Sequence, residues 1–367
     1  MNLPLEMKIE DAMFRLKDLY DRTDGKSVIS FSGGKDSTVI AELYLMAKEK
    51  GLVGHMNLIF ADTQIEYDAI YEFVEWYSKN KQEVVYIKPR LPFPMIIKKY
   101  GKPAMSKIKS DFLNTYQNTL KKGEDPLKVK RTSELLIGFR TDKEYNIKVD
   151  ENGKPEKTRQ RLANKHMHFV HPENEIKISS MCCELLKKEP FEDYYKTHGI
   201  KGYVTGMRKS EGGVREEMYK TCTAHKTIGR GKNKVKLIHK MPLFDWTDKD
   251  VDDFIEKYNV KISKAYTEYG LNRTGCVGCP FARDICNNLK VLYNHEPNKY
   301  KAVQHWLGDI YKDLEIDLPF DKTYTQLLKE RKPIIEQRRY EMVKLYRENV
   351  SSKWKPKKTL FDFKASD

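Results

Sequence analysis

No stretch of this chain approaches the length of apolar sequence that a membrane-spanning helix needs, so no membrane partner is expected. The opening residues, MNLPLEMKIEDAMFRL, mix acids with apolar residues at helical spacing and lack the basic and apolar regions of a secretory leader. Gly/Ser tracts, Pro tracts and internal repeats are also missing. With 39% hydrophobic residues in 367 positions, the expectation is a globular chain with one main domain and additions. Cysteine is scarce. Six in a chain of this length, without a leader, fit a reducing cytoplasm, where clustered thiols hold metal more often than they form disulfides. Acid is in deficit too: 53 Asp and Glu face 68 Lys and Arg, a net charge of +15. Lysines and arginines gather at 98–109, 121–131, 159–165, 226–240 and 353–358, with Tyr100, Phe112 and Tyr116 among them. That mixture suits contact with a nucleic-acid backbone, and a solvated lysine-rich surface would give the same composition.

The front of the chain alternates short β-branched runs with amphipathic ones. Strands are expected at 28–31, 55–60 and 84–87 and helices at 37–50 and 67–80. This order implies right-handed crossovers and an α/β fold, with a mainly parallel, doubly wound sheet covered on both faces and ligands at the strand C-termini. From about 98 to 175 the sequence turns polar, lysine-rich and poorly periodic, as an insertion would. The pattern resumes with a helix at 183–198, a strand at 202–206 and a helix beginning near Asp248, capped by Asp or Thr. The part after 286 is helical and charged, with helical spacing after Pro333. The expected division is 1–97 and 176–285 as two halves of a nucleotide-binding domain, 98–175 as a basic insertion, and 286–367 as a helical C-terminal region.

SFSGGKDST, between the first strand and helix, lacks the spacing of a Walker loop. Gly33 and Gly34 permit close backbone approach, Lys35 supplies a point charge, and Asp36 with Ser37 lies at the helix N-terminus, where free N–H groups and the dipole favour an anion. A plain capped turn would explain Gly34 and Asp36 but would not need Ser32, the glycine pair and Lys35 together. The hexapeptide SGGKDS resembles the pyrophosphate-binding loop of the ATP-pyrophosphatase superfamily. That resemblance implies a Rossmann-like sheet and an adenine nucleotide held by Ser32, Gly33, Gly34, Lys35, Asp36 and Ser37. Asp62 and Thr63, in FADTQ, lie where the superfamily places a nucleotide-contacting Asp-Thr pair. Its usual following glycine is Gln64 here, and a strand-end Asp also forms turns.

Cys182 and Cys183 are adjacent in MCCELLKKEP, and Cys276 and Cys279 form GCVGCP. Thiolates from two segments can complete four ligands of one metal or cluster, with a structural zinc or a redox disulfide as competitors. The arrangement is similar to the iron–sulfur branch of the phosphoadenylyl-sulfate and adenylyl-sulfate reductase family. There a CC pair followed by a lysine and EP joins a CxxC to hold a [4Fe-4S] cluster. The resemblance assigns Cys182, Cys183, Cys276 and Cys279 as ligands and turns Lys187 toward the cluster or nucleotide, while a solvated helix charge would equally account for Lys187. Cys222 and Cys286 stay outside the set. GMRKSEGGVRE resembles the family's GxRxxE loop and maps Gly206, Arg208, Glu211 and Arg215 onto it, with arginine forks for phosphate or sulfate oxygens.

In combination, Lys35, Asp36, Lys187 and Arg208 are the expected catalytic residues. The expected ligands are a [4Fe-4S] cluster and ATP or an adenylyl sulfonucleotide, with Mg2+ admissible beside the phosphates. The family's reductases carry a nucleophilic cysteine near the end of the chain, and no cysteine follows Cys286 here. The first reading is therefore an ATP-dependent, adenylating sulfur transfer to a nucleic acid, as in the DNA-phosphorothioation enzymes that the chain also resembles. A sulfonucleotide reductase is the second reading, and a non-catalytic nucleotide-sensing or nucleic-acid-binding module the third.

Overall fold

The computed structural model describes residues 3–353, apart from 145, 159, 213–218, 230 and 232–233. In chain order the elements are α1 (Leu5–Arg22), β1 (Ser27–Ser30), α2 (Lys35–Glu49), β2 (Asn57–Ala61), α3 (Asp68–Asn80), β3 (Val84–Ile87), α4 (Phe93–Tyr100), α5 (Lys107–Lys121) and α6 (Lys130–Ile137). There follow α7 (Met181–Cys183), a π-helical turn (Glu184–Lys188), α8 (Glu189–Thr197), β4 (Gly202–Val204), β5 (Thr223–Ile228), β6 (Val235–Lys240), α9 (Asp248–Lys257), α10 (Lys264–Thr267), α11 (Ile285–His295), α12 (Pro297–Asp313) and α13 (Lys322–Lys353). Among the described residues no helix is long and apolar enough to cross a membrane.

The chain divides into two compact units, 1–93 with 183–277 and 94–182 with 278–367. The first is the expected α/β body. Its six strands run in the order β3-β2-β1-β4-β6-β5, all neighbours parallel except the β5–β6 pair. Both faces are covered, so alternate residues bury in opposite directions. Val28, Ile59 and Ile87 pack with Tyr194 and Tyr195 of α8, while their neighbours Ile29 and Leu58 are also fully buried. On β4, an added Cβ at Gly202 would lie 2.6 Å from Leu19 of α1, so only glycine lets that helix close on the strand. The order reverses direction between β1 and β4, and such a switch point leaves a crevice at the strand C-termini.

The second unit joins the lysine-rich insertion to the C-terminal helices around one core. Leu113 and Tyr116 of α5, Leu135 of α6, Phe169, Ile310 of α12 and Met342 of α13 meet there. This corrects the reading of the aromatic residues as nucleic-acid stacking surfaces. Tyr116 is buried with its hydroxyl donating to Val170 O at 2.9 Å, and Phe112 packs against the same core. Tyr100 lies under the Lys99 ammonium. α13 also runs straight through Pro333 rather than starting after it.

One buried histidine makes the first unit acid-sensitive. The His239 ring on β6 stacks on Tyr203 at 4.5 Å and is hydrogen-bonded to Thr205 Oγ1 at 2.7 Å. Burial, reinforced by Lys226, pushes its pKa down to about 4. An unfolded histidine takes up its proton near pH 6.5, so stability is full above that pH and is lost as the pH falls toward 4. Urea unfolding titrations should show this residue contributing a loss of at most about 3 kcal/mol between pH 7 and 4. His239→Gln should flatten that fall, leaving the part due to His166, which burial and nearby cations push down to about 3. A parallel fall in wild type and variant would show that His239 has no part in it.

Candidate functional site

At the switch point β1 passes into α2 through a loop that its own side chains hold in shape. Gly33 has φ +70°, and a Cβ there would lie 2.9 Å from Val74 of α3, so the turn needs glycine twice over. The Ser32 N–H donates to Ser37 Oγ at 3.2 Å, and Ser37 Oγ in turn donates to Gly34 O at 2.9 Å. The Lys35 N–H, in the first turn of α2, donates to the Tyr266 hydroxyl at 3.3 Å, which is also hydrogen-bonded to Thr274 Oγ1 at 2.9 Å. All six residues of the sequence motif lie together in this loop and the first turn of α2, a cradle at a helix N-terminus.

The loop after β4 closes on this cradle. A Cβ at Gly206 would lie 2.8 Å from Asp36 Cβ, which is why the chain carries glycine there. Arg208 is only 7% exposed. Its Nε lies 3.1 Å from Asp36 Oδ1, as an ion pair rather than an aligned hydrogen bond. Its Nη2 donates to Asp248 Oδ1 at 2.6 Å and its Nη1 to Ser210 Oγ at 3.1 Å. Burial raises the pKa of Asp36, with Arg208 pulling the other way. Lys35 Nζ lies 3.1 Å from Asp252 Oδ1 and over the Tyr266 ring. Glu211 pairs with Arg273. Arg215, assigned to the same loop from the sequence, lies outside the described residues.

Beside the cradle a cavity of about 230 Å3 opens at the C-terminal ends of β1 and β2. Ser30, Ser32, Phe60, Glu66, Lys187, Phe191 and Thr274 line it, giving aromatic walls and a polar floor. Lys187 reaches it from the π-helical turn after the cysteine pair, a distortion that re-aims side chains and is common at functional sites. Its Nζ lies 2.9 Å from Glu66 Oε1, and Cys276 Sγ is 3.9 Å from the same oxygen. Burial works against the Lys187 charge, but Cys276 and Glu66 outweigh it and hold the pKa above the ordinary lysine range. The sequence placed Lys187 near nucleotide or cluster, and it does line this cavity.

Asp62 and Thr63 end β2 but their side chains serve the local backbone. Asp62 Oδ1 accepts from Gln64 N at 3.2 Å and from the Tyr71 hydroxyl at 3.1 Å, while Thr63 Oγ1 donates to Glu66 Oε1 at 3.2 Å. Gln64 has φ +64°, so it holds the left-handed geometry that a glycine would adopt freely. The four cysteines of the two motifs are thiols rather than disulfides. Cys183 and Cys276 belong to the first unit, and Cys182 and Cys279 to the second. Among the described residues no group of three or more His, Cys, Asp or Glu side chains is arranged to hold a metal ion. Sequence reasoning missed Tyr266, Thr274, Glu66, Asp248 and Asp252. The last two carried a signal: four residues apart at the start of a capped helix, they share one face.

A family model for the phosphoadenosine phosphosulfate reductase domain matches residues 26–123 and 127–282. An adenosine 5'-phosphosulfate reductase of Neisseria meningitidis is 27% identical over 119 residues, 31% of this chain and 44% of the relative. The chain thus spans less than half the length of the curated relative it matches. A phosphoadenylyl-sulfate reductase from Candida auris, solved as a phosphate complex, is similar over 75% of this chain and 97% of its own, with 14% identity and a TM-score of 0.40. The Candida glabrata FMN adenylyltransferase in complex with ATP is similar over 75% of this chain and 62% of its own, also at 14% identity and a TM-score of 0.40.

Proposed function

The chain belongs to the phosphoadenosine phosphosulfate reductase domain family, and from that premise we propose that it is an enzyme that seats the phosphates of an adenine nucleotide on loop 32–37 and performs sulfur chemistry beside them, as a sulfonucleotide reductase does. One observation carries this reading: the anion cradle opens onto the same cavity as Lys187, whose ammonium is held by Glu66 and Cys276. Backbone N–H groups at the start of α2 face the phosphate, Lys35 and Arg208 neutralise it, and the apolar walls Phe60 and Phe191 suit the base or ribose. Lys187 stands where it offsets negative charge on a sulfur-bearing group in the cavity.

The resemblance assigns a four-thiolate iron–sulfur cluster to Cys182, Cys183, Cys276 and Cys279, which are free thiols, and the cation beside Cys276 favours anionic sulfur there. When bound, such a cluster supplies a polarisable, electron-carrying centre. Lys187 then has two tasks, holding Cys276 and facing the nucleotide.

A second reading is favoured by how charge is divided. The second unit carries 37 Lys and Arg against 24 Asp and Glu, a net of +13, while the first carries 31 against 29, a net of +2. Lys107, Lys109, Lys121, Lys122, Lys128 and Lys130 form no ion pair among the described residues. With Phe112 and Tyr116 committed to the core, this surface offers phosphate contacts rather than base stacking. In this reading a nucleic-acid phosphate oxygen attacks the α-phosphate of ATP and pyrophosphate leaves. The outer sulfur of a cysteine persulfide, loaded by an external sulfur donor, displaces AMP, and a second thiol breaks the S–S bond, releasing the thiophosphate and leaving a disulfide.

Three outcomes test these statements. Lys35→Ala should weaken calorimetric binding of ATP or adenosine 5'-phosphosulfate by about tenfold to a hundredfold, the equivalent of one charge-assisted hydrogen bond; unchanged affinity would overturn the loop assignment. Anaerobically purified protein should contain iron and sulfide that Cys276→Ser loses, whereas stoichiometric zinc in the wild type would put a zinc ion in place of the cluster. Duplex DNA binding should weaken with salt, and replacing Lys107, Lys109, Lys121, Lys122 and Lys130 by glutamine should reduce the log–log slope by about 0.9 for every phosphate the variant no longer neutralises. Identical slopes would return these lysines to a solvated surface and leave only the small-molecule reading.

A further inference from the structure

We infer that Asp252 and Asp248, on the first turns of α9, are specificity-determining residues: they occupy the phosphate-binding cations until a ligand with two or more linked anionic groups displaces them. The inference rests on the nucleotide reading above and names which phosphate chains that site accepts.

The geometry is asymmetric in a way that makes exchange easy. Arg208 is 7% exposed and fixed by three partners, and Lys35 is anchored over Tyr266. The carboxylates facing them lie at the rim, with the Asp248 side chain 86% and the Asp252 side chain 59% exposed. A carboxylate that is already in water leaves without a desolvation cost, and an exposed ion pair is weak. Arg208, buried, and Lys35, half-buried against Tyr266, keep their positions and need some anion. Thr247 caps α9, with Asp250 reciprocating and also pairing with Lys8, so the helix start is held independently of Asp248 and Asp252.

Phosphate count then decides occupancy. A lone phosphate group entering the cradle meets Lys35 and Arg208 already partnered, and exchanges one carboxylate for another anion with little gain. Linked anionic groups, as in a polyphosphate or a phosphosulfate, reach both cations in one binding event and add multiple charge-assisted hydrogen bonds. AMP, which would leave on reduction of adenosine 5'-phosphosulfate or on sulfur transfer to an adenylated acceptor, reaches only one of the two cations and is the ligand these carboxylates expel most readily. Asp36 does not exchange in this way, because its side chain is much less exposed, at 26%, and it is paired with the buried Arg208.

Calorimetric titration of the full chain in EDTA with ATP, AMP and inorganic pyrophosphate tests this, using wild type, Asp252→Asn, Lys35→Ala and the Asp252→Asn/Lys35→Ala pair. Asp252→Asn should tighten ATP and pyrophosphate by about fivefold at most, the worth of one exposed pair. It should tighten AMP by that factor at most, because a lone phosphate relieves no more than the same single pair. The gain should vanish in the Lys35→Ala background. Unchanged or weaker ATP, AMP and pyrophosphate binding in Asp252→Asn, with an unaltered thermal midpoint, would overturn the inference, as would weakening seen only with added Mg2+, which would make Asp252 a metal contact. If pyrophosphate tightens while neither adenine nucleotide binds either protein, the carboxylate exchange stands and the adenine reading falls. If none of the three binds, both fall.

Discussion

The ion pair between Arg208 and Asp36 is the constraint on which the candidate site depends. It joins the loop after β4 to the first turn of α2, across the point where the sheet changes direction. Because Arg208 is buried, it cannot be solvated in place of Asp36, and losing either partner would strand a charge in the protein. The close approach that the pair requires explains Gly206, and the same guanidinium positions Asp248 and Ser210. Loop, helix and neighbouring strand therefore form one assembly around a fixed cation.

The sheet and the cradle were legible in the sequence for a physical reason. β1 and β2 are buried on both faces, which yields short apolar runs, and the Gly33–Gly34 pair follows the first of them where a left-handed turn is needed. The β5–β6 hairpin was not legible. Its strands carry Lys226, beside Leu237, on one face and Lys236, beside Thr227, on the other, so 226–240 reads as a basic cluster although it alternates with period two. The helix α5 hid in the insertion because two of its buried positions are Ser110 and Thr119, which break the apolar stripe that would have revealed it. Phe112 and Tyr116 were misjudged on the same ground: in a lysine-rich window an aromatic looks like a partner for bases, when it is the scarce apolar material from which a core is built.

Tertiary partners of the loop were less readable still. Tyr266 and Thr274 lie more than two hundred residues from Lys35, and no local pattern ties a hydroxyl there to a backbone N–H here. Glu66 is a solitary acid in the sequence, yet it links Thr63, Lys187 and Cys276 at the cavity floor. Gln64 is the opposite case. It departs from the glycine that the resemblance suggests, and the backbone adopts the glycine geometry regardless, because Asp62 caps the turn from the preceding strand.

The two rims of the sheet bear on how copies of this chain behave at high concentration. Among the described residues, β3 and β5 each leave one side without a strand partner, which is the template that exposed sheets offer for growth into fibres. On β5 the antiparallel turn-back sets Lys226 on the rim, held to Glu192, and β3 is only four residues long. A short rim and a charged one give an incoming strand few ladder positions and an electrostatic penalty at one of them. Lys226, one of the two lysines that disguised the hairpin in the sequence, thereby acts as a gatekeeper against edge-to-edge polymerisation.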